Sequence, residues 1–177
     1  LFKHFEAINN AVNTPIILYN VPSRTNMNIT PEALLELSEL SNVTAVKEAS
    51  GNISQVAKIK ALCGDKLDIY SGNDDQVTAI LALGGIGVIS VLANVVPKAV
   101  HEMVMSYLTG DTNKSLSLQL EYLKLANDLF IETNPIPVKT ALNLMGKEAG
   151  DLRLPLYEMD ENNKAILCST LQNYSLI

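Results

Sequence analysis

"VTAVKEASGNISQVAKIKALCG" (residues 43–64) decides the fold. It opens on an apolar, β-branched run, Val43 to Val46, that ends at Lys47 and reads as a strand. A turn rich in Ser, Gly and Asn follows, and then a helix over 53–64 closed by Gly64. Strand, turn and helix make one βα unit, and the same unit recurs on both sides.

Upstream, "TPIILYN" (14–20) is a continuous apolar run with polar residues at its end, and "TPEALLELSEL" (30–40) is a helix. Thr30 is the expected N-cap, Pro31 takes the first helical position, and Glu32 puts a negative charge in the first turn. Downstream, "LDIYSG" (67–72) and "GVISVLA" (87–93) read as strands. "DDQVTAILALGG" (74–85) and "PKAVHEMVMSYLTG" (97–110) read as helices. The four strands are apolar on both faces, which predicts a parallel sheet covered by helices. After Gly110 only helical patterns remain: 113–131, 137–146 and 160–176. The expected organisation is therefore 1–110 as serial βα units and 111–177 as an appended three-helix segment.

Composition narrows the class. Of 177 residues, 47% are hydrophobic and 18% charged, a globular balance rather than a disordered one. A net charge of −6 leaves no basic footprint for nucleic acid or an anionic membrane surface. Cys63 and Cys168 lie far apart without metal-site spacing, so idle thiols in a reducing compartment are expected. The charge-free run from Gln76 to Pro97 is long enough to cross a bilayer. Gly84, Gly85 and Gly87 interrupt it, however, and a buried helix, a turn and a buried strand fit it better. The chain opens at Leu1 on what reads as an amphipathic helix in mid-stride, with Leu1, Phe2, Phe5, Ile8 and Val12 on one face, as if cut from a larger protein.

Serial βα units suit either a doubly wound sheet or a TIM barrel. No Gly-rich phosphate turn follows the first strand, which disfavours the former. Four units are half of an eightfold barrel. The expected fold is α/β: the C-terminal half of a TIM (β/α)8 barrel followed by a three-helix segment. Polar residues collect at the carboxyl ends of the strands, where barrel enzymes work: Tyr19, Asn20, Lys47, Gly72, Asn73 and Ser90. Lys47 is the chemical candidate. In an apolar pocket desolvation disfavours an ammonium, and the free amine can attack a carbonyl to form a Schiff base. The imine then acts as an electron sink, and Tyr19 on the neighbouring strand can relay the proton. The plain alternative is a snorkelling lysine or an ion pair with Glu48.

"YNVPSRT" (19–25), "VKEASGN" (46–52), "SGNDD" (71–75) and "GGIGVISVLANV" (84–95) resemble the dihydrodipicolinate synthase family, the pyruvate-dependent class I aldolase group that includes N-acetylneuraminate lyase. The likeness runs along the whole chain with order and spacing kept. It implies that Lys47 forms the Schiff base with pyruvate and Tyr19 is the proton relay. It further implies that Arg24 holds the carboxylate of the aldehyde substrate, while Gly72 and Ile89 line the pyruvate pocket. Because sialic-acid lyases usually differ at this arginine, the resemblance favours condensation of pyruvate with aspartate semialdehyde, in lysine (diaminopimelate) biosynthesis.

No cofactor beyond the covalent imine, a cytoplasmic location and a homo-oligomer, commonly a tetramer, are implied with it. Pairing with a missing N-terminal half is the other expected association. Asn26 stands where the family commonly has Gly, and Leu92 where a smaller or polar residue is common. The family's preceding four βα units carry a Thr-Thr pair, a relay Thr, a second tyrosine and a lysine feedback site, none of which can be assigned here. Two further readings stay open: another aldolase or lyase of the same group, and a non-catalytic half-barrel serving assembly. Little or no turnover is expected of the isolated chain.

Overall fold

The computed structural model describes all 177 residues, and the chain divides into two compact units, Leu1–Ile89 and Ser90–Ile177. In the first unit α1 (Phe2–Ala11) leads into β1 (Ile16–Asn20), the short α2 (Pro22–Thr25), α3 (Pro31–Leu37) and β2 (Val43–Glu48). Then come α4 (Ile53–Cys63), β3 (Asp68–Ser71), a 3₁₀ turn at Asp74–Gln76, α5 (Val77–Ala82) and β4 (Gly87–Val88). The strands form one parallel sheet in the order β1-β2-β3-β4. Consecutive parallel neighbours joined by helices are the expected product of repeated βα units.

The local signals act as read. Thr30 caps α3 by accepting from the Ala33 N–H at 3.3 Å, with Pro31 next to it. A cap not read from the sequence is Asn52, which opens α4 by accepting from Gln55 N at 3.1 Å. Asn26 closes α2 in the left-handed region, φ 55°, a conformation that asparagine tolerates where glycine is the common alternative. Leu18, Val46 and Ile69 from the three longer strands pack with Leu34 and Leu37 of α3, Val56, Ile59 and Cys63 of α4, and Ile80 of α5. This core lies between one face of the sheet and the helices.

The sheet is closed by helices on one face, while Ile17 and Tyr19 on the other are nearly half exposed, as the inner face of a half-barrel is expected to be. Two expectations change. The fourth strand is only Gly87–Val88, not 87–93. Ile89 still donates its N–H to Ser71 O, but the Ser90 hydroxyl then accepts from Ala93 N and the chain turns into a 3₁₀ segment at Leu92–Asn94. In α1 the apolar stripe is exposed at Leu1, Phe2, Ile8 and Val12, and only Asn9 is buried. Phe5 of the stripe packs against the core, and polar contacts also tie the helix down: Asn42 N donates to Asn9 Oδ1 and Asn42 Nδ2 to Asn9 O.

The second unit is helical: α6 (Pro97–Leu108), α7 (Thr112–Glu121), α8 (Leu123–Asp128), α9 (Ile136–Leu144) and α10 (Glu161–Asn173). The single helix expected over 113–131 is broken at Tyr122, whose ring stacks on Tyr174 at 5.3 Å between centroids. The Tyr174 hydroxyl donates to the Glu121 carbonyl at the same break. No helix is long and apolar enough to cross a membrane.

Candidate functional site

Strand alternation sorts the carboxyl edge of the sheet into two layers. On the face bare of helices, one register row runs Tyr19–Lys47–Tyr70–Gly87 across all four strands. One residue further, on the helix-covered side, the row is Asn20–Glu48–Ser71–Val88. Tyr19 and Lys47 are therefore direct neighbours, and Lys47 Nζ lies 4.3 Å from the centre of the Tyr19 ring. That is within the range of a cation–π contact. Tyr19 is half exposed and Lys47 half-buried, so both are open to a small molecule.

The ion pair with Glu48 does not form, because alternation sends Glu48 to the other face. Its side chain is 1% exposed. Glu48 Oε2 accepts from Asn20 Nδ2 at 2.9 Å and from Gln55 Nε2 at 3.2 Å, and Oε1 accepts from Ser50 N at 2.7 Å. The network continues outward. Asn20 Nδ2 also donates to Asn28 Oδ1, Asn20 Oδ1 accepts from Ile29 N, and Asn28 Nδ2 donates to Gln55 Oε1 at 2.8 Å.

The remaining sequence-chosen residues stand along the same edge. Arg24 is exposed on α2, the single turn of helix that follows β1. Gly72 follows β3, and its N–H donates to Glu48 O at 2.7 Å. A Cβ there would lie 2.6 Å from Ala49 Cβ and 3.1 Å from Glu48 O, so the glycine is required by the close approach of two strand ends. Ile89 is 38% exposed just beyond β4. The structure thus brings Tyr19 and Lys47 into contact and sets Gly72 against the residues after Lys47. Arg24 and Ile89 occupy the same edge on flanking elements.

Sequence reasoning missed Tyr70 and Gly87. A Cβ on Gly87 would come 3.2 Å from Tyr70 Cδ1 and Cε1, so the Tyr70 ring lies over that glycine. Their signal is parity: Tyr70 is two residues before Gly72 on one strand, hence on its face. No cluster of three or more His, Cys, Asp or Glu side chains could hold a metal ion. A cavity of about 590 Å³ lies in the second unit, lined among others by Lys139, Asp151, Tyr157 and Met159, and contains none of these residues.

A lysine and a tyrosine in register at the carboxyl edge of a parallel βα sheet define the class: an α/β protein with an amine and a phenol presented together on an open sheet face. The comparisons define the family. The model of the dihydrodipicolinate synthetase family matches residues 1–174, and the chain belongs to that family. A 4-hydroxy-tetrahydrodipicolinate synthase of Clostridium acetobutylicum is 61% identical over 177 residues, which is 100% of this chain and 60% of that protein. Two solved structures superpose with a TM-score of 0.95. One is the chloride-inhibited dihydrodipicolinate synthase of Acinetobacter baumannii in complex with pyruvate, 36% identical, with 99% of this chain and 60% of that one covered. The other is a monomeric dihydrodipicolinate synthase variant, 38% identical, with 100% and 60% covered. The chain spans about three fifths of the curated relatives it matches.

Proposed function

We propose that this chain supplies the carboxyl-terminal four βα units of a (β/α)8 barrel, residues 1–110, with 111–177 as the appended helical segment, in a pyruvate-dependent lyase. Lys47 Nζ attacks the keto carbon of pyruvate, and loss of water leaves an imine. Loss of a methyl proton gives the enamine, whose carbon adds to the aldehyde of aspartate 4-semialdehyde; attack of the semialdehyde's own amine on the imine carbon then closes the ring and frees Lys47, yielding the dihydrodipicolinate precursor of the lysine (diaminopimelate) pathway. Tyr19 relays protons, Arg24 pairs with the carboxylate of the semialdehyde as a planar guanidinium suits, and Gly72 and Ile89 line the pyruvate site. No metal or redox group enters these steps. The protein acts in the cytoplasm.

The observation that carries this reading is the Tyr19–Lys47 pair, in register and 4.3 Å apart from Nζ to ring centre, at the edge where barrel enzymes place their chemistry. The pyruvate complex of the Acinetobacter baumannii relative supports pyruvate as the first substrate. The exposed Ile17, Tyr19 and Ile89 support a partner for the bare face, either amino-terminal units or another copy within a homo-oligomer.

Co-expression with the amino-terminal two fifths of the Clostridium acetobutylicum relative tests the reading. The chain alone is expected to condense no semialdehyde, and the complex to consume pyruvate and aspartate semialdehyde together. Cleavage of N-acetylneuraminate by that complex, with no condensation, would overturn the assignment in favour of a sugar-acid lyase.

A further inference from the structure

Glu48 is a nearly fully buried carboxylate with three neutral donors converging on it and no cation: Asn20 Nδ2, Ser50 N and Gln55 Nε2. Burying a carboxylate this way is unfavourable beside an apolar residue of similar size. One row deeper in the same sheet, Leu18 and Val46 fill the equivalent pair of positions with hydrocarbon. Two- and three-way hydrogen bonding at the last row serves something other than stability.

We infer that Glu48 is a positioning residue: through Asn20 it locks the register of β1 against β2 so that Tyr19 stands beside Lys47. This rests on the imine-forming reading of Lys47. The β1–β2 pairing shifts register between Ile16 and Ile17, so the register at the reacting end rests on only the four pairs from Ile17–Ala45 to Asn20–Glu48. A slip of one residue turns every side chain to the opposite face, and here it would take Tyr19 out of the row of Lys47. The Asn20–Glu48 side-chain bond joins the very next pair of residues, one peptide away from both reacting side chains. Buried polar pairs are best attested as register locks of this kind.

The same carboxylate reaches beyond the two strands. Gln55 ties it to α4, and Asn28 and Ile29, bonded to Asn20 and Gln55, tie it to the segment that follows the Arg24 helix. One buried group therefore connects the backbones that carry Tyr19, Lys47 and Arg24.

The test is Glu48→Gln, which keeps shape and volume but sets an amide donor against at least one of the three donors. The first readout is the ring-current shift of the Lys47 ε-methylene over the Tyr19 ring, seen by NMR in lysine-labelled protein. The second is the rate of pyruvate trapping by borohydride. In E48Q, with Ile69 and Leu34 methyl signals still native, the ring-current shift is expected to fall at least about twofold. The maximal trapping rate is expected to fall about tenfold, with half-saturating pyruvate unchanged.

Gln55→Met, which removes one donor from α4 without touching either strand, is expected to act in the same direction and decides the matter if E48Q does not fold. An intact ring-current shift in the folded variants overturns the inference. If the wild-type chain traps no pyruvate and the shift still collapses, the positioning role stands and the imine reading fails.

Discussion

The two faces of one sheet teach different things. Leu18, Val46 and Ile69 are at most 1% exposed under the helices, while Ile17, one residue away from Leu18, is 47% exposed. Composition does not separate the faces, since both are apolar over much of their length. What separates them is burial, and so the covered face sets the stability of this chain. The bare face holds the Tyr19–Lys47 pair and contributes little to stability. Its apolar residues are the ones that the proposed substrate and the proposed barrel partner would cover.

The largest expected effect breaks the comparison most simply. Ile69→Ala, in the closed core, is expected to lose about 2–5 kcal/mol in urea unfolding. Ile17→Ala, on the bare face, is expected to stay within about 0.5 kcal/mol of wild type. Equal losses would mean that the bare face is covered in solution.

Next comes the edge where the faces meet. Gly72→Ala forces a methyl to 2.6 Å from Ala49 Cβ, and about 1–3 kcal/mol of destabilisation is expected in the same assay. Gly87→Ala meets only the Tyr70 ring at 3.2 Å, which can swing, and is expected to cost less.

The smallest effect uses the cysteines. Cys63 is buried under the covered face, and burial pushes its thiol above the ordinary value, against a smaller opposing effect of Lys66. A raised pKa leaves less thiolate at any given pH, so alkylation near pH 8 is expected about tenfold slower at Cys63 than at the partly exposed Cys168, read by peptide mass. The gap should narrow as pH rises.

The sequence made the covered face legible because its signals are local. Apolar runs, Thr30 as a cap, Pro31 and the closing glycines place three strands and their helices within a few residues. Lys47 and Tyr19 were legible as strand-end residues, and their contact follows from register. The short fourth strand was not, because the apolarity of "GVISVLA" is the same whether it is buried in a ladder or in the turn that Ser90 caps. Nor was the break at Tyr122, where the contacts come from Tyr174, more than fifty residues away. The exposure of the α1 stripe escaped because an amphipathic pattern says only that a face can be buried. The role of Glu48 escaped because adjacency in sequence suggested a partner for Lys47, whereas alternation puts the two on opposite sides of the sheet.

Pyruvate with borohydride reads whether the bare face is chemically competent. Imine formation draws on Lys47, pyruvate and the Tyr19 relay, the two side chains both lying on this chain, so it should proceed without the further residues that turnover requires. The chain holds eleven lysines, and peptide mapping after reduction reads each of them. A reduced pyruvyl adduct is expected at Lys47 and at none of the other ten, abolished in Lys47→Arg. Adducts spread over surface lysines, or none at Lys47, would contradict that expectation.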